Sequence, residues 1–492
     1  MNRPTIPLPL ATFGFDAKPY FVAMKTMRCL VGFVACTLLL ASAGAQTATV
    51  VQYRSINSIQ NVGNQINLPD GVLPLEFAVR KYRVTYTMDY LGQPYEVSGA
   101  LFVPMDETGN PASCSLPTHT YMHGTVFERD EAPSYSGFEG QIGFLMATGG
   151  MLCLMPDYLG LGSSDDVLHP YIHAESEAES GIALLQAVET LADELGISMN
   201  GQHFVSGYSQ GGHASMALAR RMQEDPDAGF PLAGAAPMSG PYDMSGTQVP
   251  IGMTLESYAN PAYLPYLILS WQQTYGNLFV DLGEVFQEPY ASALPGYFDG
   301  ETSGWYIDNF LDGPTSDLVQ PEALESMMMP GHPFHDAALD NDVYDWVPES
   351  PMRLFYCTED EQVFYENALV AEAWMNENGA SNVTSLDGGP LDHSDCALLA
   401  ILGGSLWIND MADLCSTASV SEKTSPGLSW RTFAEGVHVM GMETGQPWTL
   451  LGVDGRTLQT GTASGKGDLL FPPRGLSVLR TLDGRVVRLV KN

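Results

Sequence analysis

The chain has 492 residues, with 21 Lys and Arg against 57 Asp and Glu, for a formal charge of −36. Affinity for nucleic acid comes from clustered Lys and Arg that release counterions, so a phosphate-backbone binder is excluded. At 45% hydrophobic, 10% aromatic and only 16% charged, the composition is that of a globular chain rather than a disordered one.

The charge falls in three blocks. Residues 1–45 carry 4 basic and 1 acidic side chains, residues 421–492 carry 9 and 6, and the body between them, 46–420, holds 8 and 50. No lysine lies between Lys81 and Lys423. Schiff-base chemistry, a Ser–Lys dyad and a phosphate-binding lysine are thereby excluded from the body.

Residues 24–45 open with Met-Lys-Thr-Met-Arg, continue through the apolar run Cys29 to Leu40 and end on Ala43-Gly44-Ala45. A basic start, a short apolar stretch and a small-x-small end predict a secretory signal peptide cleaved after about Ala45, with residues 1–23 as an upstream extension. No other stretch reaches 18 apolar residues, so the mature chain reads as soluble. Five cysteines remain after cleavage, and an odd number does not describe a disulfide scaffold. Cys396 and Cys415 are a possible pair or buried thiols, while Cys153 and Cys357 sit in apolar runs and read as core. No cysteine or histidine cluster has metal-ligand spacing, and neither a metal nor a cofactor is expected.

Runs rich in β-formers occur at 82–88, 95–103, 117–122, 151–155, 203–205, 232–238, 353–357 and 383–386. The first two are joined by a hairpin-like Asp89-Tyr90-Leu91-Gly92-Gln93. The later ones alternate with helical patterns, most clearly 175–195, where Ile182, Leu185, Val188, Leu191 and Leu195 form one apolar face and Gly196 provides a stop. An α/β fold with a mostly parallel sheet and helices on both faces follows. Residues 241–348 are aromatic and lack strand patterns, which predicts a helical lid insertion over the functional edge. Residues 421–492 are turn-rich with short apolar strands, and predict a small C-terminal β-module.

The run 203–205 leads into Gly207-Tyr208-Ser209-Gln210-Gly211-Gly212 and then a helix-compatible stretch. This is G-x-S-x-G in a strand–turn–helix setting, the nucleophile elbow, with Ser209 as nucleophile. The partners must follow in the order acid, then histidine. Of ten histidines only His393 and His438 lie after every plausible acid, and His438 belongs to the tail, so His393 is the base, placed in a polar loop. The acid should follow the strand ending at Cys357. Asp360 is the choice there, with Glu361 and Glu359 as alternatives. The oxyanion hole takes the N–H of Gln210 and a second N–H from the loop Met122-His123-Gly124-Thr125, that of Thr125 or its neighbour Gly124.

These motifs, with Pro156-Asp157-Tyr158-Leu159-Gly160-Leu161-Gly162, His169-Pro170-Tyr171, His213 and the pairs Asp360/Val363 and His393/Cys396, resemble the α/β-hydrolase superfamily and, within it, the bacterial and fungal secretory lipase and esterase group. The resemblance covers roughly residues 80–410 and implies an α/β-hydrolase catalytic domain over 46–416. One departure is Phe364, where the group usually has proline after the valine. The tail, with Leu451 to Arg456, Pro473-Arg474-Gly475-Leu476 and the end Arg485 to Asn492, is similar to type IX secretion C-terminal sorting domains of Bacteroidota. It implies contact with the secretion machinery and a secreted or outer-membrane surface location, an ordinary carbohydrate-binding β-domain being the alternative.

The expected function is a secreted serine hydrolase of carboxylic esters, a lipase or esterase working through an acyl-enzyme on Ser209. Between Arg221 and Arg353 there are no basic and 20 acidic residues, so the expected substrate is a neutral or cationic small-molecule or lipid ester. The lid aromatics and Met327-Met328-Met329 suit an acyl chain, unless most of them pack the lid's own core. A serine peptidase of prolyl, dipeptidyl or tripeptidyl type is the alternative, against which stands the lack of an N-terminal propeller, with about 35 residues ahead of the first predicted strand. A non-catalytic binding module would need a broken triad, and none of its three members is missing.

Overall fold

The computed structural model describes residues 46–491 except 67, 69–73, 136, 312, 416–428, 434–435, 441, 453–456, 465–467, 471–474 and 482–485. The expected export signal and the extension before it lie outside the described residues.

Alternation along the predicted strands becomes alternation of faces. Leu101, Val103 and Val205 join one apolar core, and Phe102 and Phe204 join another across the sheet. Nine strands form that sheet: β1 (Thr47–Arg54), β2 (Ala78–Tyr90), β3 (Gln93–Met105), β4 (Leu116–Met122), β5 (Leu152–Pro156), β6 (Met199–Tyr208), β7 (Leu232–Met238), β8 (Met352–Tyr356) and β9 (Val383–Asp387). Their order is β1-β2-β3-β5-β4-β6-β7-β8-β9. The first three and the β3–β5 junction are antiparallel, and everything from β5 to β9 is parallel.

The eight runs read from the sequence are β2 to β9. The edge strand β1 was not expected, because Val50, Val51 and Tyr53 on it are exposed and leave no burial pattern. The first strand therefore starts at residue 47, about 35 residues earlier than the first predicted one.

Helix α1 (Ala174–Leu195) ends at Gly196, whose left-handed φ of +67° favours glycine. With α2 (Gln210–Glu224) it covers one face of the sheet through Ile182, Leu185, Val188, Leu218 and Met222. The lid segment 241–348 consists of short helices, the longest being α3 (Tyr263–Tyr275), around a core of its own that includes Tyr266, Trp271, Phe286, Ile307 and Phe334. Most lid aromatics thus hold the lid together. Met327 is buried in that core, Met328 packs against it and Met329 is exposed.

After β8 come α4 (Glu366–Glu377) and α5 (His393–Met411). Helix α5 covers the second face with Ala400, Leu402, Leu406 and Ile408. The tail carries two small antiparallel sheets, one of three strands and one of four, around Val439, Trp448, Leu450, Leu470 and Leu479. Among the described residues no helix is long and apolar enough to cross a membrane.

The cysteines correct the sequence reading. Cys114 bonds Cys415 and Cys357 bonds Cys396, while Cys153 is a buried free thiol. Cys396 and Cys415 do not pair: each is bonded elsewhere, and they are separated by most of the 19-residue α5, Cys396 lying in its first turn and Cys415 four residues past its end at Met411. That helix is about 28 Å long, against a Cα separation of roughly 7 Å at most for a disulfide.

Candidate active site

Strand β6 delivers Ser209 on a turn whose φ of +62° and ψ of −123° lie outside the conformations L-residues prefer. Such a residue costs on the order of 1–3 kcal/mol, and the surroundings must hold it. They do so by close backbone approach. A β-carbon on Gly207 would stand 2.1 Å from Gly211 O, and one on Gly211 would stand 2.0 Å from Met122 O. The glycines of the elbow are therefore required by contact. Ser209 N–H donates to Met238 O at 3.0 Å, which ties the turn to the neighbouring strand β7.

Ser209, Asp360 and His393 are brought together. His393 Nε2 lies 2.9 Å from Ser209 Oγ, and Nδ1 lies 2.7 Å from Asp360 Oδ2 and 2.9 Å from Oδ1. All three residues are buried, exposing 6–8% of their surface. With Nδ1 facing a carboxylate, the proton belongs there, and Nε2 is left to accept from the serine hydroxyl. His393 is not in a loop, as expected, but is the first residue of α5, with Asp392 as the N-cap that accepts from Asp395 N–H at 2.8 Å.

The three acidic candidates separate by what they touch. Asp360 alone meets the imidazole. Glu361 accepts from the backbone N–H of His393 at 3.1 Å, and Glu359 is exposed. Asp360 Oδ1 also accepts from Gln362 N–H at 3.1 Å and Val363 N–H at 2.8 Å, so the acid turn closes without the proline that Phe364 replaces. The Cys357–Cys396 disulfide joins the residue three before Asp360 to the residue three after His393. Acid and base are thereby covalently held to each other, a link the sequence reading missed although it singled out Cys396.

The expected oxyanion donors divide in the same way. Gln210 N–H and Thr125 N–H have no acceptor among the described residues, and Gln210 lines the cleft beside Ser209. Gly124 N–H is taken. It donates to Glu139 Oε1 at 3.0 Å and Oε2 at 3.1 Å, so Gly124 is not available as a donor. Thr125 is oriented through its hydroxyl, 3.0 Å from Tyr171 OH, and Tyr171 stacks on Tyr266 with ring centroids 4.5 Å apart.

A buried chain fixes the Gln210 side chain behind the elbow. His169 Nδ1 donates to Leu159 O at 2.9 Å, so its Nε2 accepts from Gln210 Nε2 at 2.7 Å. Burial pushes the His169 imidazole down to about 3, which keeps it neutral in that role. Gln210 Nε2 also donates to Glu177 Oε1 at 2.9 Å, and Glu177 Oε2 takes His213 Nδ1 at 2.6 Å. His213 Nε2 faces Asn341 O at 2.9 Å. Both ring nitrogens of His213 thus face oxygen atoms. The motifs His169-Pro170-Tyr171 and Gly212-His213 signalled this network, but pairing across 36 and 41 residues is invisible in a single sequence.

A cleft opens onto Ser209 beneath the lid. Ile172, Met244, Val249, Met253, Tyr258, Tyr263, Leu264, Leu267 and Leu318 give it apolar walls, and among the described residues no Asp, Glu, Lys or Arg lines it. Gln362 ties the lid to the acid turn. Tyr258 OH and Gln248 Nε2 donate to its carbonyl, the latter at 2.8 Å, and Tyr263 OH donates to Oε1 at 3.3 Å. Among the described residues no group of three His, Cys, Asp or Glu side chains is placed to hold a metal ion.

No family model and no curated protein sequence matches the chain. Solved structures do. The rice cell wall degrading esterase LipA of Xanthomonas oryzae is 27% identical, with a TM-score of 0.65 over 74% of this chain and 96% of that one. A Legionella pneumophila protein at 24% identity has a TM-score of 0.68 over 74% and 97% of the two chains. Lipase A of Candida antarctica in its closed state, at 17% identity, has a TM-score of 0.55 over 77% and 86%. The last two likenesses concern the fold alone. The chain is therefore built on the α/β-hydrolase fold and is similar, over three quarters of its length, to an esterase.

Proposed function

We propose that this protein is a carboxylic-ester hydrolase that works through an acyl-enzyme on Ser209, with His393 as base and Asp360 as its partner. The observation that carries the reading is the unbroken hydrogen-bonded series Ser209 Oγ, His393 Nε2 and Nδ1, Asp360, seated on a strained elbow at the floor of an apolar-walled cleft. His393 takes the serine proton as Oγ attacks the ester carbonyl. The imidazolium formed is stabilised by Asp360, and the oxyanion by the N–H groups of Gln210 and Thr125. His393 then protonates the departing alcohol and, in the second half, draws a proton from water to release the acid.

The cleft sharpens the substrate. The acidic lid suggested a neutral or cationic ligand, and among the described residues no lid carboxylate lines the cleft, which favours neutral esters. An unpaired charge in such a site is costly to desolvate. With the chain from Gln46 onward, nitrophenyl butyrate is expected to exceed nitrophenyl hemisuccinate in kcat/KM by on the order of 10²-fold, equivalent to about 2.7 kcal/mol. Aminoacyl-proline amides cleaved faster than any neutral ester would replace this reading by the peptidase one.

Export is part of the proposal. The basic-apolar-small segment 24–45 and the two disulfides both suit an oxidising compartment. The antiparallel sheets of the tail are compatible with a sorting module that delivers the enzyme to the outside or the outer-membrane surface.

A further inference from the structure

Glu139 stands behind the oxyanion turn in a place the reaction described so far does not use. Both its carboxylate oxygens accept from Gly124 N–H. A β-carbon on Gly124 would lie 2.8 Å from Glu139 Oε1 and 3.8 Å from Ser209 Cβ, so the carboxylate and the nucleophile flank the same backbone atom. The stretch that carries Glu139 is held by many polar bonds. Lys81 Nζ donates to Tyr135 O at 2.9 Å, Arg83 donates to the hydroxyl and carbonyl oxygens of Ser134 at 3.3 Å each, and Arg54 donates to Gln141 Oε1 at 2.5 Å. Buried Asp157 accepts from Ser134 N–H at 2.8 Å and from its hydroxyl at 2.5 Å. Three of the eight basic residues in 46–420 thus converge on 134–141.

We propose that Glu139 is a positioning residue for acyl transfer: it fixes the 123–125 turn through Gly124 N–H so that Thr125 N–H meets the oxyanion, and its ionisation opposes the charge that forms there. This rests on the ester-hydrolase reading. The groups around the carboxylate are Gly124 N–H and His123 in the turn, Tyr121 on β4, Tyr158 after β5, Lys81 on β2 beside Gly140, and the His393–Asp360 pair across Ser209. Tyr121 places a fully buried hydroxyl next to this carboxylate. Burial pushes the Glu139 carboxyl up to about 7, with the bond from Gly124 opposing the shift. The sign follows directly. Below that pH the group is neutral and the oxyanion forms unopposed, and above it the added negative charge slows the reaction.

The test uses the whole mature chain and the variants Glu139→Gln and Glu139→Ala, with kcat and KM for a neutral nitrophenyl ester followed from about pH 5 to about pH 10. Rates are referred to active sites titrated with a fluorophosphonate, which removes misfolded protein from the count. The native enzyme should lose kcat with a midpoint near 7 as pH rises. Glu139→Gln keeps an oxygen for Gly124 N–H, so its kcat near pH 6 should stay within about threefold and the alkaline fall should vanish. Glu139→Ala should lose roughly 10- to 100-fold in kcat with little change in KM, as for a displaced transition-state donor. A Glu139→Gln profile that superimposes on the native one, or full kcat in Glu139→Ala, overturns the proposal. If the native protein cleaves no ester, the functional reading fails by itself, and the pH dependence of fluorophosphonate labelling at Ser209 in the same variants still decides the role of Glu139.

Discussion

Ser209→Ala is expected to lower kcat for any ester by about 10⁶-fold, roughly 8 kcal/mol in the barrier, with KM little changed. The size follows from what is lost. The hydroxyl is the atom that forms the covalent bond, so neither His393 nor the two N–H donors can substitute for it. Water activated by His393 together with the oxyanion donors accounts for what remains. The fold is expected to persist, because the hydroxyl's bond is to His393 and the backbone bond from Ser209 N–H to Met238 O is kept. Steady-state hydrolysis of a nitrophenyl ester by protein with a native circular dichroism spectrum measures the effect. Retention of more than about a hundredth of the activity would show that another group carries out the displacement.

Asp360→Asn is expected to cost about 10⁴-fold in kcat, by a mechanism the hydrogen bonds define. Oδ1 is anchored by Gln362 N–H and Val363 N–H, so the asparagine must keep its carbonyl oxygen there and turn its amide towards His393. That amide donates to Nδ1, now 2.7 Å from Oδ2, and forces the ring proton onto Nε2, where it faces Ser209. The base is then in the wrong tautomer, while the cleft, and with it KM, is unchanged. Glu361→Gln is the comparison, since Glu361 binds only the backbone of His393 and its loss should leave kcat within about tenfold. Reversed magnitudes would move the acid from Asp360 to Glu361.

How much of this was legible in the chain depends on the range of the interactions involved. The elbow is local as a motif: Gly207, Ser209 and Gly211 lie within five residues, the need for Gly207 comes from the turn's own Gly211 O, and that for Gly211 from Met122 O on β4. Strands β2 to β9 were readable because burial on both faces leaves continuous or alternating apolar runs. β1 was not, since an exposed edge strand makes no such pattern. Long-range pairings were the other loss. Nothing local says that Cys357 meets Cys396, or that Glu139 reaches Gly124 across 15 residues of loop and helix. The lid aromatics left two readings open for a related reason: composition reports that a segment is apolar, but not whether a side chain faces the cleft, like Tyr258 and Tyr263, or the lid's own core, like Trp271 and Phe286.

The most direct test of the acyl-enzyme on Ser209 is to trap it. The protein from Gln46 onward is mixed with a neutral alkyl phosphonate ester, digested, and the labelled peptide sequenced by tandem mass spectrometry. One phosphonyl group per chain on Ser209, with stoichiometric loss of ester hydrolysis, is the predicted result. Ester hydrolysis that continues undiminished after labelling, or a label on any other residue, would contradict it.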